Sequence, residues 1–156
     1  MERYLIALGS NRRHCRFGAP AKVLIAALDE LRGAGIEIES VAATMSSAPI
    51  GPSRRRYANS AAIVRTGLAP TDLLDLLKSI ETRFGRRRGG QRWSARTLDL
   101  DIVLWERGAW HDRNLTIPHV AFRQRRFVLG PASAIAPRWR DPITGLTLRQ
   151  LSARAA

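Results

Sequence analysis

Cysteine is nearly absent from these 156 residues: Cys15 stands alone. One thiol excludes an internal disulfide framework and suits a reducing compartment. Lysine is almost as scarce, with only Lys22 and Lys78 among 26 Lys+Arg residues. Acids number 13, which leaves a formal net charge of +13. No apolar run nears the roughly 20 residues of a membrane span. The opening Met1-Glu2-Arg3-Tyr4 lacks the basic region and cleavage site of a signal peptide. Repeats and long linkers are also missing. These absences lead us to expect one soluble, cytoplasmic domain over residues 1–156, with no membrane partner. We take it as a monomer, a state that the sequence itself does not give.

What is present fits a folded enzyme-sized domain. Apolar residues make up 45% of the chain, enough to bury a core and too many for disorder. The positive charge favours anionic partners such as nucleotides. Nearly all of it is arginine, whose planar fork grips phosphate at two points.

Residues 4–8 form a short apolar run that halts at Gly9-Ser10-Asn11 and reads as a buried strand entering a turn. Residues 12–20 read as a loop. Leu24, Leu28 and Leu31 recur at helical spacing, and Gly33 and Gly35 end that pattern. Residues 36–41 alternate as a half-buried strand. Residues 43–57 read as a loop and residues 58–66 as a strand. Pro70 opens a helix with Leu73, Leu77, Ile80 and Phe84 on one face, closed by Gly85. A basic loop over 86–94 leads to the strongest strand signal, residues 97–105. Gly108 marks a hairpin, 115–117 a short strand, and short helices and loops follow Pro118, with a last helical turn over 146–151. The order β-α-β-β-α-β predicts an α+β, ferredoxin-like core: a mainly antiparallel sheet with helices on one face.

The chemistry concentrates in Arg92-Trp93-Ser94-Ala95-Arg96-Thr97-Leu98-Asp99-Leu100-Asp101-Ile102. On a strand, Leu98, Leu100, Ile102 and Leu104 share the core face, and Asp99 and Asp101 share the other. Carboxylates at i, i+2 sit roughly 7 Å apart and repel by roughly 2.4 kcal/mol at an effective dielectric of about 20. A cation at the site removes that penalty, and oxygen-only ligands suit Mg²⁺. Six arginines fall within residues 83–96, with no acid after Glu81. An Arg-rich loop feeding a carboxylate pair is what a polyphosphate plus metal requires. The plainer alternative is a solvated strand face bearing two aspartates.

The run from Arg92 to Ile102 resembles the signature of the 6-hydroxymethyl-7,8-dihydropterin pyrophosphokinase family of folate biosynthesis. Leu8-Gly9-Ser10-Asn11 resembles that family's first strand and turn. Pro49-x-Gly51 and Tyr57-x-Asn59 resemble its pterin loop, and Leu115-Thr116-Ile117-Pro118-His119 with Arg125-x-Phe127 its ATP-side segment. Order and spacing hold from about residue 3 to 150.

The resemblance implies transfer of pyrophosphate from ATP to a reduced pterin alcohol, with release of AMP and without nucleic acid. It implies Asp99 and Asp101 as ligands of two Mg²⁺ ions, and Arg86 and Arg96 as catalytic phosphate contacts. Arg88 and Trp93 would cover the nucleotide from a mobile loop. Ile102, Thr116, His119 and Arg125 would complete the ATP site. Ser47, Ala48, Ile50, Tyr57, Asn59 and Phe127 would form the pterin site, the two aromatics sandwiching the ring and Asn59 bonding its polar edge. A flat heteroaromatic ring does need aromatic faces and a two-way amide partner.

Taken without the resemblance, these residues have plainer readings. Tyr57 and Phe127 are as readily core aromatics. His119 caps the helix that follows, Trp93 packs, and Asn59 bonds its own backbone. Glu81 is a solvated acid or an arginine partner. The chain also departs from the family pattern at Ser47-Ala48-Pro49, at Arg54-Arg55-Arg56, at Val120 and in the first loop. Two rivals therefore stand beside the kinase: a paralogue with a changed acceptor, and an RNA-binding ferredoxin-like module using the +13 charge.

Overall fold

The computed structural model describes residues 1–47, 57–85 and 97–155. The first strand, β1 (Glu2–Ser10), is buried from Tyr4 through Ser10 on both alternating faces. A run without polar alternation belongs at the centre of a sheet covered on both sides. Helix α1 (Pro20–Gly33) follows, with Pro20 in its first turn. There a fixed φ and a missing N–H cost nothing. Val23, Leu24, Ala27, Leu28 and Leu31 bury one face of α1. Strands β2 (Glu37–Val41), β3 (Met45–Ser47) and β4 (Tyr57–Thr66) come next. Helix α2 (Pro70–Arg83) buries Leu73, Leu77, Ile80 and Glu81. It gives way to Gly85 at φ +103°, a conformation an L side chain resists. Strand β5 (Asp99–Trp105) leads to the hairpin of β6 (Trp110–His111) and β7 (Thr116–Ile117). A 3-10 turn (Phe122–Gln124), α3 (Arg126–Ile135) and α4 (Leu148–Ala155) complete the chain.

The main sheet runs β2-β4-β1-β5, every neighbour antiparallel, with β3 paired to the start of β4. Each helix thus joins two strands with a third between them, β1-α1-β2 around β4 and β4-α2-β5 around β1. That is the expected ferredoxin-like core of two interleaved split βαβ units.

Four local expectations are corrected. The helices do not sit on one face. Tyr4, Ile6, Leu8, Leu100 and Ile102 pack under α1 and α2. Leu5, Ala7, Ala61, Ile63 and Val103 pack under α3, α4 and the 3-10 turn, against Phe122, Val128, Leu129 and Leu148. Leu104 does not share a face with Leu98, Leu100 and Ile102. Leu5 pairs with Leu104 and Ile6 with Ile102, so Val103 is a bulge residue that flips the alternation and puts Leu104 in the second cluster. Residues 45–47 form a strand inside the segment read as loop. Pro20 starts α1 and does not end a loop.

The trailing segment is locked by charge. Asp141 is fully buried and accepts two hydrogen bonds from the Arg123 guanidinium, at 2.6 and 2.8 Å. The Ile143 amide and the Thr144 hydroxyl also donate to it. Burial pushes this carboxyl up, but the bonds from Arg123, Thr144 and Ile143 outweigh it and leave the pKa at about 2.

Candidate functional site

Backbone register sets the site at one end of the main sheet. Asn59 on β4 pairs with Gly9 on β1, and Gly9 pairs on its other side with Asp99 on β5. One row further in, Ala61, Ala7 and Asp101 line up in the same way. Ala7, Ala61 and Val103 belong to the second cluster, so strand alternation puts Tyr57, Asn59, Asp99 and Asp101 on that face as well. Strands lie about 4.8 Å apart, so Asn59 and Asp99 face each other across roughly 10 Å.

Between them Gly9 and Ala7 make a low floor. A Cβ on Gly9 would stand 3.4 Å from Asn59 Oδ1 and 3.8 Å from Tyr57 Cδ1. The Tyr57 ring and the Asn59 amide therefore already lean over the glycine. Asn59 is buried and Tyr57 half-buried. Sequence reading treated Gly9 only as the start of a turn. Its neighbours across the sheet, which define its role, are 50 and 90 residues away along the chain.

Asp99 and Asp101 are both half-buried. Among the described residues no group of three or more His, Cys, Asp or Glu side chains converges. The donor set here is a carboxylate pair with room for other oxygens. That chemistry fits Mg²⁺, which keeps several waters and binds through one or two carboxylates plus substrate phosphates.

His119 docks along β5 through its backbone, whose N–H donates to Val103 O at 3.0 Å, and its ring interacts electrostatically with Asp101 and Arg125. Its ring Nδ1 accepts the Ala121 N–H at 3.1 Å, which ties the ring to the turn before the 3-10 helix, whose own N-cap Ala121 carries no side-chain cap bond. With Nδ1 an acceptor, the neutral ring carries its proton on Nε2. Burial lowers the His119 pKa, and Arg125 lowers it further, while Asp101 pulls the other way. His119 is thus a neutral donor held between an acid and a guanidinium.

Arg125 precedes α3, and its guanidinium lies 5.7 Å from the centre of the Phe127 ring. Phe127, half-buried, packs on the second cluster, so the core reading of this aromatic holds in part. Helix α3 lies against β3 and β4 closely enough that a Cβ on Gly130 would stand 3.2 Å from Met45 Sδ. Asn59, Asp99, Asp101, His119, Arg125 and Phe127 therefore belong to one side of the sheet.

Two expected nucleotide residues sit differently. The Ile102 side chain is in the first cluster, on the opposite face from Asp101, so only its backbone is available to a ligand. Thr116 lies in the β6–β7 hairpin with its hydroxyl 3.0 Å from His111 Nδ1. Ser47 ends β3 and pairs through its backbone with Tyr57. Ala48, Ile50, Arg86, Arg88, Trp93 and Arg96 lie outside the described residues.

Glu81 is neither solvated nor at the surface. It is buried on α2, and its Oε2 accepts the Leu100 N–H at 2.8 Å. The signal was present in sequence: Glu81 follows Leu77 by four residues and so shares the apolar face of α2.

A sequence model of the family described as 7,8-dihydro-6-hydroxymethylpterin-pyrophosphokinase (HPPK) matches residues 5–137. Three relatives are named 2-amino-4-hydroxy-6-hydroxymethyldihydropteridine pyrophosphokinase. The Synechocystis protein is 40% identical over 132 residues, 80% of this chain and 67% of its own length. The Pseudomonas aeruginosa protein is 39% identical, covering 91% of this chain and 85% of its own. The Methylorubrum extorquens protein is 34% identical, covering 99% and 94%. Among solved structures, an HPPK-DHPS chain in complex with substrates superposes with a TM-score of 0.76 at 12% identity. The wild-type HPPK-DHPS of Plasmodium falciparum gives 0.75 at 13%. Each covers 98% of this chain, which spans only 43% and 41% of theirs.

Proposed function

The chain belongs to the 7,8-dihydro-6-hydroxymethylpterin-pyrophosphokinase family, and we propose from that premise how its residues transfer pyrophosphate from ATP to 6-hydroxymethyl-7,8-dihydropterin, releasing AMP. In this reaction the hydroxymethyl oxygen gives up its proton to water and bonds to the β-phosphorus of ATP. The bond from that phosphorus to the α–β bridging oxygen breaks, and the oxygen leaves with AMP. The family membership does not favour the RNA-binding reading.

The pterin lies on the floor of Gly9 and Ala7, stacked between Tyr57 and Phe127. The buried Asn59 amide both donates to and accepts from its polar edge. Ser47, Ala48 and Ile50 complete the set of pterin-binding residues in this reading. Asp99 and Asp101 would hold Mg²⁺, two ions when ATP is present, and the metal would supply charge neutralisation for the polyphosphate. His119 donates its Nε2–H to a phosphate oxygen without adding charge. Arg125, Arg86 and Arg96 supply guanidiniums to the polyphosphate, as fixed charge where charge develops. Arg88 and Trp93 cover the nucleotide and exclude water, and Thr116 and the Ile102 backbone border it.

The observation that carries this reading is the row Asn59–Gly9–Asp99. It gives an amide that can read an acceptor and a carboxylate that can hold a cation one glycine apart, on a single face. The test is Asp99→Ala and Asp101→Ala. Each relieves like-charge repulsion on a half-buried face, so each should keep the parent's thermal stability and lose measurable turnover. Near-normal turnover of either variant at saturating Mg²⁺ contradicts the assignment.

A further inference from the structure

The acid on α2 has no part in the scheme above, yet it touches the strand that bears both aspartates. Glu81 is 7% exposed. A carboxylate is expensive to bury unless hydrogen bonds satisfy it. One of its bonds is the 2.8 Å acceptance from Leu100 N–H. Leu100 lies between Asp99 and Asp101, and among the described residues β5 ends the sheet order, with β1 as its strand partner and the His119 N–H bonded to Val103 O further along. Strand ends at a sheet edge open most readily, since few bonds hold them. Glu81 supplies at that edge, at the peptide between the two aspartates, the acceptor a further strand would have supplied.

We propose that Glu81 is a positioning residue for the metal site: by holding the Leu100 peptide from α2 it fixes the spacing and direction of the Asp99 and Asp101 carboxylates. The inference rests on the reading of that pair as the magnesium ligands. It predicts a dependence on the acceptor oxygen and not on the charge of residue 81. Glu81→Gln presents an oxygen at the same reach and should keep most of the function. Glu81→Met removes the acceptor at similar volume. Glu81→Asp keeps the charge but withdraws the oxygen from Leu100 by one methylene.

The experiment measures Mn²⁺ binding by electron paramagnetic resonance with a non-hydrolysable ATP analogue, beside the KM and kcat for ATP. Glu81→Met and Glu81→Asp should bind Mn²⁺ about tenfold more weakly, a loss of about 1.4 kcal/mol. Turnover should recover in part at high Mg²⁺, and Glu81→Gln should stay near the parent. If Glu81→Met does not fold, Glu81→Asp against Glu81→Gln still decides the question. Parent-like Mn²⁺ binding in Glu81→Asp overturns the proposal. So does a Glu81→Gln variant as weak as Glu81→Asp, because charge would then be what matters. Asp99→Ala and Asp101→Ala serve as the reference arm. Retained Mn²⁺ binding in those variants removes the metal reading itself. Lost binding there with normal binding in Glu81→Asp removes only the positioning role.

Discussion

Replacing Gly9 by alanine and then by valine probes the floor of the pterin site. The Gly9 φ is not positive, so a side chain brings no backbone strain. An alanine Cβ would lie 3.4 Å from Asn59 Oδ1, 3.8 Å from Tyr57 Cδ1 and 4.0 Å from Ala58 O. These are ordinary contacts, and loss of a glycine stiffens the unfolded chain by about 0.4–1 kcal/mol. Thermal stability of Gly9→Ala should therefore equal or slightly exceed the parent's. A ligand resting on that floor fares differently. The methyl lifts it from the Asn59 amide, and a buried polar group left without its partner costs about 1–3 kcal/mol. Since about 1.4 kcal/mol is tenfold, pterin affinity should fall about tenfold in Gly9→Ala and further in Gly9→Val. Calorimetric titration with the reduced pterin reads this directly, and titration with a non-hydrolysable ATP analogue should barely change. A folded Gly9→Val protein with parent-like pterin affinity refutes the placement of the ligand over β1.

Phe127→Ala removes one stacking face, worth about 0.5–1.5 kcal/mol beyond burial. The ring also packs on the second cluster, so pterin affinity should drop one to two orders of magnitude with some loss of stability. Equal losses for pterin and nucleotide analogue would make Phe127 a core residue alone. The buried Asp141 carboxyl sits at about 2, below its ordinary 3.8. A carboxyl depressed by folding stabilises above its unfolded pKa, and the contribution fades as pH falls from 3.8 toward 2. At neutral pH it amounts to about 2 kcal/mol. Asp141→Asn should lower the denaturant midpoint at pH 7, and its deficit should shrink across that acid window. A deficit that stays constant down to the acid limit contradicts the assignment.

The sequence made the ferredoxin-like core legible because the two helices show an unbroken 3.6-residue period and the central strands show dense apolar runs. The second helical layer was harder to see. Helix α3 carries Gly130 and Pro131 within ten residues, which hides its period. The better clue lay in β1, apolar at both even and odd positions. Leu104 misled because a bulge at Val103 depends on pairing with β1, which no local pattern reveals. The shared face of Asp99 and Asp101 was legible from their i, i+2 spacing, and the arginines of residues 83–96 were what turned that pair into a candidate metal site. Gly9 and Glu81 were not given their roles, since one is defined by strands far along the chain and the other by a hydrogen bond to a backbone amide. The arginine-rich segment carries much of the expected phosphate chemistry, and Arg86, Arg88, Trp93 and Arg96 fall outside the described residues.

The most direct test of the transfer chemistry is to incubate the protein with ATP and Mg²⁺, with and without the reduced pterin alcohol, and to separate the nucleotide and pterin products. The account predicts AMP and pterin diphosphate in equal amounts, and negligible AMP when the pterin is left out. ADP as the nucleotide product, or AMP formed at the same rate without pterin, would contradict it.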